Sequence, residues 1–142
     1  MTADPVEVGA AVAGKKPAVI DGSGGSRGVR DYIENMDDAL RDVYEALKAF
    51  LESLGDDVQV ATMKWYIAFK RIKNFACVQP HVNKGNIIVW VKASPMPPNT
   101  PGFTRDVTGI GHAGTGDLEI TLRTLTDLEK AKPHLVKSYE AS

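Results

Sequence analysis

Basic and aromatic side chains are interleaved through residues 58 to 105, and no acidic residue interrupts them. Single-stranded nucleic acid is bound by such mixtures, because cations follow the phosphates while rings stack on the bases. Sheet proteins also place aromatic residues and edge lysines in strands for structural reasons, so a purely structural explanation stays open. The bases are Lys64, Lys70, Arg71, Lys73, Lys84, Lys92 and Arg105, and the aromatic residues are Trp65, Tyr66, Phe69, Phe75, Trp90 and Phe103.

The segment Gly109-Ile110-Gly111-His112-Ala113-Gly114 has the letters of the dinucleotide-binding fingerprint. That fingerprint requires a helix after the glycines to hold the pyrophosphate, whereas the sequence predicts a strand from about Asp117. We therefore predict a long loop, shaped by its glycines, that carries His112.

A metal-dependent nuclease would need carboxylates that converge with a lysine. Asp106 and Glu119 supply only the acids, because Thr121 occupies the position where a lysine is wanted. Asp117 and Glu119 point the same way on a strand and could share a cation, although a solvated face is the commoner meaning of such a pair. The three histidines show no ligand spacing, and Cys77 lies among apolar neighbours. The sequence predicts no catalytic residue, no metal and no cofactor.

The elements that would position these residues follow from hydrophobic periodicity. An apolar stripe predicts a long amino-terminal helix, capped by Asn35 or Asp37 and ended by Gly55. Strands are predicted over 65–70, 74–78, 86–92 and 116–123, with Trp65, Ile67 and Phe69 facing the helix. The proline-rich residues 94–102 predict a surface loop, and a capping box at Thr126 predicts a closing helix, which Pro133 kinks or divides. The stripe consists of Leu40, Val43, Tyr44, Leu47, Phe50, Leu51 and Leu54.

The predicted fold is α+β: a long N-terminal helix packed on a four- or five-stranded antiparallel sheet and closed by a C-terminal helix. Residues 1–30 are predicted to form a flexible glycine-rich tail and 31–142 a single domain. The longest apolar run, 87–91, is too short to cross a membrane. A single cysteine and the lack of a secretory signal predict a cytoplasmic protein. The net charge of -1 gives by itself no reason to expect a polyanionic partner.

Several segments carry a family resemblance. They are 54–58, 64–70, Asn74-Phe75, 105–112, 114–119 and the final 135–139. Over residues 40 to 140 the chain resembles a bacterial family of domains of unknown function. Its members often stand at the carboxyl end of predicted nucleases, including modification-dependent restriction enzymes, and some are labelled predicted transport proteins. The resemblance implies company with DNA-processing enzymes, and the lack of a membrane-spanning segment argues against transport.

These observations lead to a non-enzymatic binding module as the first hypothesis, with nucleic acid or a nuclease as its partner. Lys64, Lys70, Arg71, Lys73 and Arg105 would contact phosphates, and Tyr66 and Trp90 would stack on bases. The resemblance adds Asn74, Asp106, His112 and Asp117 to the binding residues. A metal-dependent nuclease built on Arg105, Asp106, His112, Asp117 and Glu119 is one alternative. The other is a protein-interaction domain that docks through its acidic helix face or its tail. The oligomeric state stays open.

Overall fold

The computed structural model of the protein describes residues 28 to 142. Three helices and six strands occur in the order α1 (Val29–Glu34), α2 (Asp38–Glu52), β1 (Gln59–Thr62), β2 (Ile67–Lys70), β3 (Asn74–His81), β4 (Asn86–Val91), β5 (Thr104–Asp106), β6 (Leu118–Leu122) and α3 (Leu125–Glu140). A 3-10 turn, Val82–Lys84, joins β3 to β4. The predicted tail lies outside the described residues except for 28–30, where α1 begins.

The six strands form one antiparallel sheet in the order β1-β2-β3-β4-β6-β5. The first four follow one another as a meander, whereas β5 lies at the edge and β6 is inserted between it and β4. The chain therefore leaves β4, passes through the proline-rich loop to the edge of the sheet, and returns. Residues 107–117 connect β5 to its neighbour β6, and this glycine-rich loop reaches back over the sheet to β3 and β4.

The main core lies between the helices and one face of the sheet, the inner face. Alternation places Leu118, Ile120 and Leu122 of β6 in this core, and all three are fully buried. Ile67 and Phe69 of β2 also point inward, as their alternation predicted. Each helix contributes apolar residues to the same core, so all three helices cover this one face. The opposite, outer face of the sheet is left to the loops.

One long N-terminal helix is not found, and this prediction is corrected. The region forms α1 and α2, separated by residues 35–37. Asp37 caps α2, with its carboxylate accepting a hydrogen bond from the backbone N–H of Leu40 at 2.8 Å. Asp37 is one of the two predicted caps, and because an N-cap residue has extended backbone dihedrals, α2 begins there and α1 is a separate helix before it. The apolar stripe itself is correctly placed, because its buried members lie in α2.

The strand count of four or five is also corrected, because the sheet has six strands. The additional strands are β1 and β5, which are short and mostly exposed. Alternation signals a strand only where one face is buried, and this signal is weak in both. Their pairing with β2 and β6 makes them strands.

The closing helix is confirmed, but its cap lies two residues earlier than predicted. The hydroxyl of Thr124 accepts a hydrogen bond from the backbone N–H of Asp127, and the Asp127 carboxylate accepts one from the N–H of Arg123. The helix continues across Pro133 to Glu140. Among residues 28 to 142, no helix is long and apolar enough to cross a membrane.

Candidate functional site

The outer face of the sheet carries a small second core, the outer cluster. Cys77, Ile88, Trp90 and Val107 are its buried members, and Tyr66 and Ala113 pack against them. Two of the predicted binding residues, Tyr66 and Trp90, therefore lie in the same cluster. Alternation decides this placement, since Tyr66 follows the outward phase of β2, and Cys77 and Trp90 are direct partners on β3 and β4.

The glycine-rich loop lies directly on this cluster. At Gly114 a Cβ atom would be 2.7 Å from the Cβ of Cys77, and at Gly116 it would be 2.8 Å from the backbone nitrogen of Val91. Both glycines also have positive φ. These two positions need glycine both for close approach and for their backbone conformation. Packing of the loop on the sheet therefore explains these glycines, and a dinucleotide site is not needed to explain them.

His112 is the side chain that the loop places over the cluster. Its ring stacks on Trp90, with centroids 4.7 Å apart and planes 12° from parallel. Nδ1 and Nε2 lie 2.9 Å from the backbone oxygens of Ala113 and Gly116. Trp90 is only 3% exposed, so stacking of a base on this ring would require the loop to move.

A polar row continues from Trp90 to the edge of the sheet. The register aligns Trp90, Glu119 and Arg105 on three neighbouring strands. The indole N–H of Trp90 donates to Glu119 at 3.2 Å, and Nε of Arg105 pairs with the same carboxylate at 2.8 Å. The hydrogen bond to Glu119 raises the pKa of Arg105 above its ordinary value. Sequence reasoning gave Glu119 a role only in the nuclease alternative, whereas the structure makes it the link between Trp90 and Arg105.

The carboxylates of the two predicted site aspartates, Asp106 and Asp117, accept hydrogen bonds from the backbone. Asp117 accepts a hydrogen bond from the N–H of Ala93 at 2.8 Å, and Asp106 accepts one from the N–H of Thr108 at 2.9 Å. Hydrogen bonds from Thr108 lower the pKa of Asp106. Among the residues that the structure describes, no three His, Cys, Asp or Glu side chains are grouped so that they could hold a metal ion. The carboxylates of the nuclease alternative thus have other hydrogen-bond partners.

In contrast to these carboxylates, the lysines near β2 have no partner of opposite charge among the described residues. Lys64 precedes β2, Lys70 ends it, and Lys73 lies in the turn to β3; together they form the β2 basic row. Within residues 28–142, none of the three forms an ion pair. The ammonium of Lys64 lies 5.1 Å from the centroid of the Trp65 ring, and Lys64 and Lys73 are exposed. Their charge is therefore available to an anion.

Asn74 and Thr115 connect the basic row to the glycine-rich loop. The Asn74 amide donates to the Thr115 hydroxyl at 3.4 Å, and the N–H of Thr115 donates to the sulfur of Cys77 at 3.4 Å. Thr115 was missed by sequence reasoning, because nothing in the spacing of a loop residue shows which strand it will touch. Tyr66, Lys70 and Asn74 thus lie on neighbouring strands beside the loop.

Arg71 lies apart from this surface. Its guanidinium pairs with Asp57 at 3.0 Å and lies 4.6 Å from the centre of the Tyr139 ring. Tyr139 in turn donates to Asp57 at 2.6 Å. These three residues join the α2–β1 loop, the β2–β3 turn and the end of α3. Arg71 therefore has an intramolecular partner, and a phosphate contact by this residue stays a prediction.

Comparison with known proteins gives the family. A model described as a domain of unknown function, DUF5655, matches residues 29–142. The chain belongs to the DUF5655 family. The match spans α1 to α3, so the whole described domain is the DUF5655 unit.

A protein of Haemophilus influenzae strain Rd, described as uncharacterized, is 30% identical to the DUF5655 chain over 100 residues. The aligned region covers 70% of this chain and 32% of that relative. The chain thus spans about a third of the length of its curated relative. No solved structure matches.

Proposed function

We propose that this DUF5655 domain is a non-enzymatic module that binds single-stranded nucleic acid along β2. Lys64, Lys70 and Lys73 contact phosphates, and Tyr66, between Lys64 and Lys70 on the outward phase of the chain, supplies a ring for a base. Asn74 and Thr115 border the same surface. Arg105, His112 and Trp90 are assigned a supporting role, because they bind one another or the loop backbone.

The observation that carries this proposal is that the acidic side chains of the outer face have partners, whereas the lysines of the β2 basic row have no ion pair among the described residues. On the outer face, Glu119 is paired with Arg105, and the nearby Asp106 and Asp117 accept backbone hydrogen bonds. The β2 basic row has no carboxylate partner among the described residues. In addition, helix α2, which has four acidic and two basic residues, lies across the sheet from the outer cluster. The outer side near β2 therefore favours an anionic ligand.

An accessory role beside a nuclease, in the cytoplasm, belongs to the same proposal. In its curated relative the aligned region is only 32% of the protein, so the domain occurs there beside other sequence. A module that holds a single strand would present that strand to a neighbouring enzyme.

The enzymatic alternative has a direct test: plasmid incubated with the purified chain should show no nicking, with or without a chelator. Chelator-sensitive nicking would contradict a non-enzymatic role.

The binding test is a titration of labelled single-stranded DNA and RNA at a series of salt concentrations. Binding should weaken steeply with salt, since each phosphate contact on a single strand contributes about 0.7 to the log–log slope. Lys64→Ala/Lys70→Ala should weaken binding and lower the slope by about 1.4.

The matched control is Lys130→Ala/Lys137→Ala, which removes the same charge from exposed positions on α3. This control should leave the slope nearly unchanged. Affinity that is flat across salt, or an equal loss in both double variants, would show that the β2 basic row does not bind phosphates.

A further inference from the structure

A cleft of about 670 Å³ lies between α1 and the end of β3, next to the start of β2. Asp31, Tyr32 and Asn35 come from α1, Gln79 and His81 from β3, and Lys84 from the 3-10 turn. This volume is in the range of small-ligand sites. The cleft adjoins the β2 basic row, because Gln79 donates a hydrogen bond to the backbone oxygen of Trp65, the neighbour of Lys64.

The cleft exists because β3 is longer than β2. Strand β2 begins at Ile67, opposite Val78, whereas β3 continues to His81. Residues 79–81 therefore have a strand neighbour only on the β4 side. Helix α1 stands beside this one-sided stretch, because residues of both line the same cleft. The missing strand leaves room for a ligand.

A chain of hydrogen bonds fixes the orientation of His81 in the cleft. The Gln79 amide nitrogen donates to Trp65, so the oxygen of that amide faces Nε2 of His81 at 2.7 Å. Nε2 must then be the donor, which leaves Nδ1 as an acceptor in the neutral ring. Burial, with Lys84 adding to it, lowers the pKa of His81 and so favours this neutral ring. Within residues 28–142, no group hydrogen-bonds to Nδ1.

Asn35 of α1 brings a second acceptor to the cleft. Asn35 uses its amide nitrogen on the backbone of Asp31, which leaves its oxygen for a ligand. Tyr32, whose ring stacks on Trp65 with centroids 6.4 Å apart, lines one side, and Lys84 is exposed at the other. A fitting ligand is planar, carries N–H donors and bears an anionic group.

We propose that this cleft takes one amino-bearing nucleobase, adenine or cytosine, of a bound single strand. Nδ1 of His81 accepts from the exocyclic amino group, Tyr32 stacks on the base, and Lys84 contacts the adjoining phosphate. Thymine and uracil lack the amino donor and are disfavoured. This proposal rests on the proposed function and adds a base preference to it.

The test compares dT12 with dT12 that carries one central dA or dC, using the full chain. The substituted strands should bind about three- to tenfold more tightly, which is the effect of one or two hydrogen bonds. In His81→Phe that preference should disappear while the affinity for dT12 is retained. Asn35→Ala, at an exposed position, should reduce the preference and serves if His81→Phe does not fold. Lys84→Ala should weaken binding of all three strands, and Lys130→Ala is the matched control.

Nuclear magnetic resonance with adenosine 5′-monophosphate and uridine 5′-monophosphate gives an independent measurement. The adenine nucleotide should shift the amide signals of residues 31–35 and 79–84 more than the uridine nucleotide does. If dT12 binds with salt dependence but dA and dC give no preference, the cleft assignment is wrong and the proposed function stands. If no strand binds, the proposed function fails, and the cleft assignment fails with it unless the adenine nucleotide alone shifts the cleft signals.

Discussion

Asp57 shows how single residues at distant positions fasten this domain. It lies after α2, yet its carboxylate binds both Arg71 from the β2–β3 turn and Tyr139 near the end of the chain. A Cβ atom at Gly55 would overlap the Tyr139 hydroxyl, so glycine keeps the space that this group needs. Gly55, Asp57 and Tyr139 belong to segments that carry the family resemblance, and the structure gives them a structural role.

The hydrogen bond from Tyr139 should make stability depend on pH. It is the largest of the effects that lower the pKa of Asp57 below its ordinary value of 3.8. A carboxylate with a lowered pKa stabilises the folded state above its ordinary value and loses that effect as the pH falls through the folded value. Wild type should therefore be more stable than Tyr139→Phe near neutral pH, and the gap should narrow below about pH 4.

On the alkaline side the same bond raises the pKa of Tyr139 above its ordinary 10.0. A raised pKa gives stability that is present below the ordinary value and lost as the pH rises through the folded value, so the gap should narrow there as well. Thermal unfolding of wild type and Tyr139→Phe from pH 3 to pH 11 measures this difference in stability. A gap that is constant across this range would contradict the role of the bond.

At the scale of elements, the start of α3 differs between sequence and structure. The sequence predicted a cap at Thr126, whereas the structure has it at Thr124. Thr124 caps the helix, whereas Thr126 lies exposed in its first turn. Thr124→Ala should lower the free energy of unfolding by about 1 kcal/mol, because one backbone N–H loses its acceptor. Thr126→Ala, the matched control, should change it by less than about 0.5 kcal/mol. Urea denaturation measures both, and a reversed order would place the cap at Thr126.

Elements with one buried face could be predicted from the sequence. Strand β6 and the apolar stripe of α2 show clear periodicity, because every second or every third to fourth residue meets the core. The start of α2 was also predicted, since Asp37 is one of the two proposed caps. Helix α1 could not be predicted in this way, because the apolar stripe starts only at Leu40.

At the scale of the whole molecule, the domain has three layers: helices, sheet and the glycine-rich loop. The loop closes the outer cluster, and Gly116 is where it touches the backbone of β4. Gly116→Ala should lower the free energy of unfolding by about 3 kcal/mol, from conformational strain together with overpacking against atoms that cannot move aside. The expected direction follows from backbone atoms of Trp90 and Val91 within 3.0 Å of the added Cβ.

Gly109→Ala is the matched control in the same loop. Gly109 also has positive φ, but no atom lies within 4 Å of the Cβ that would be added. Its cost should be only the strain of about 1 kcal/mol. Equal losses in the two variants, measured by urea denaturation, would show that contact with β4 does not hold the loop.

The sequence by itself determined the α+β class, the alternation of β6, the apolar stripe of α2 and the run of bases without acidic residues over 58–105. These features are local, since they depend on which residue types follow one another. Only the tertiary structure decided that His112 covers Trp90, that Glu119 joins Trp90 to Arg105, and that α1 borders a cleft at His81. Contacts between distant residues depend on strand order and register, and an edge strand such as β5 or a one-sided stretch such as residues 79–81 exists only once the sheet has formed.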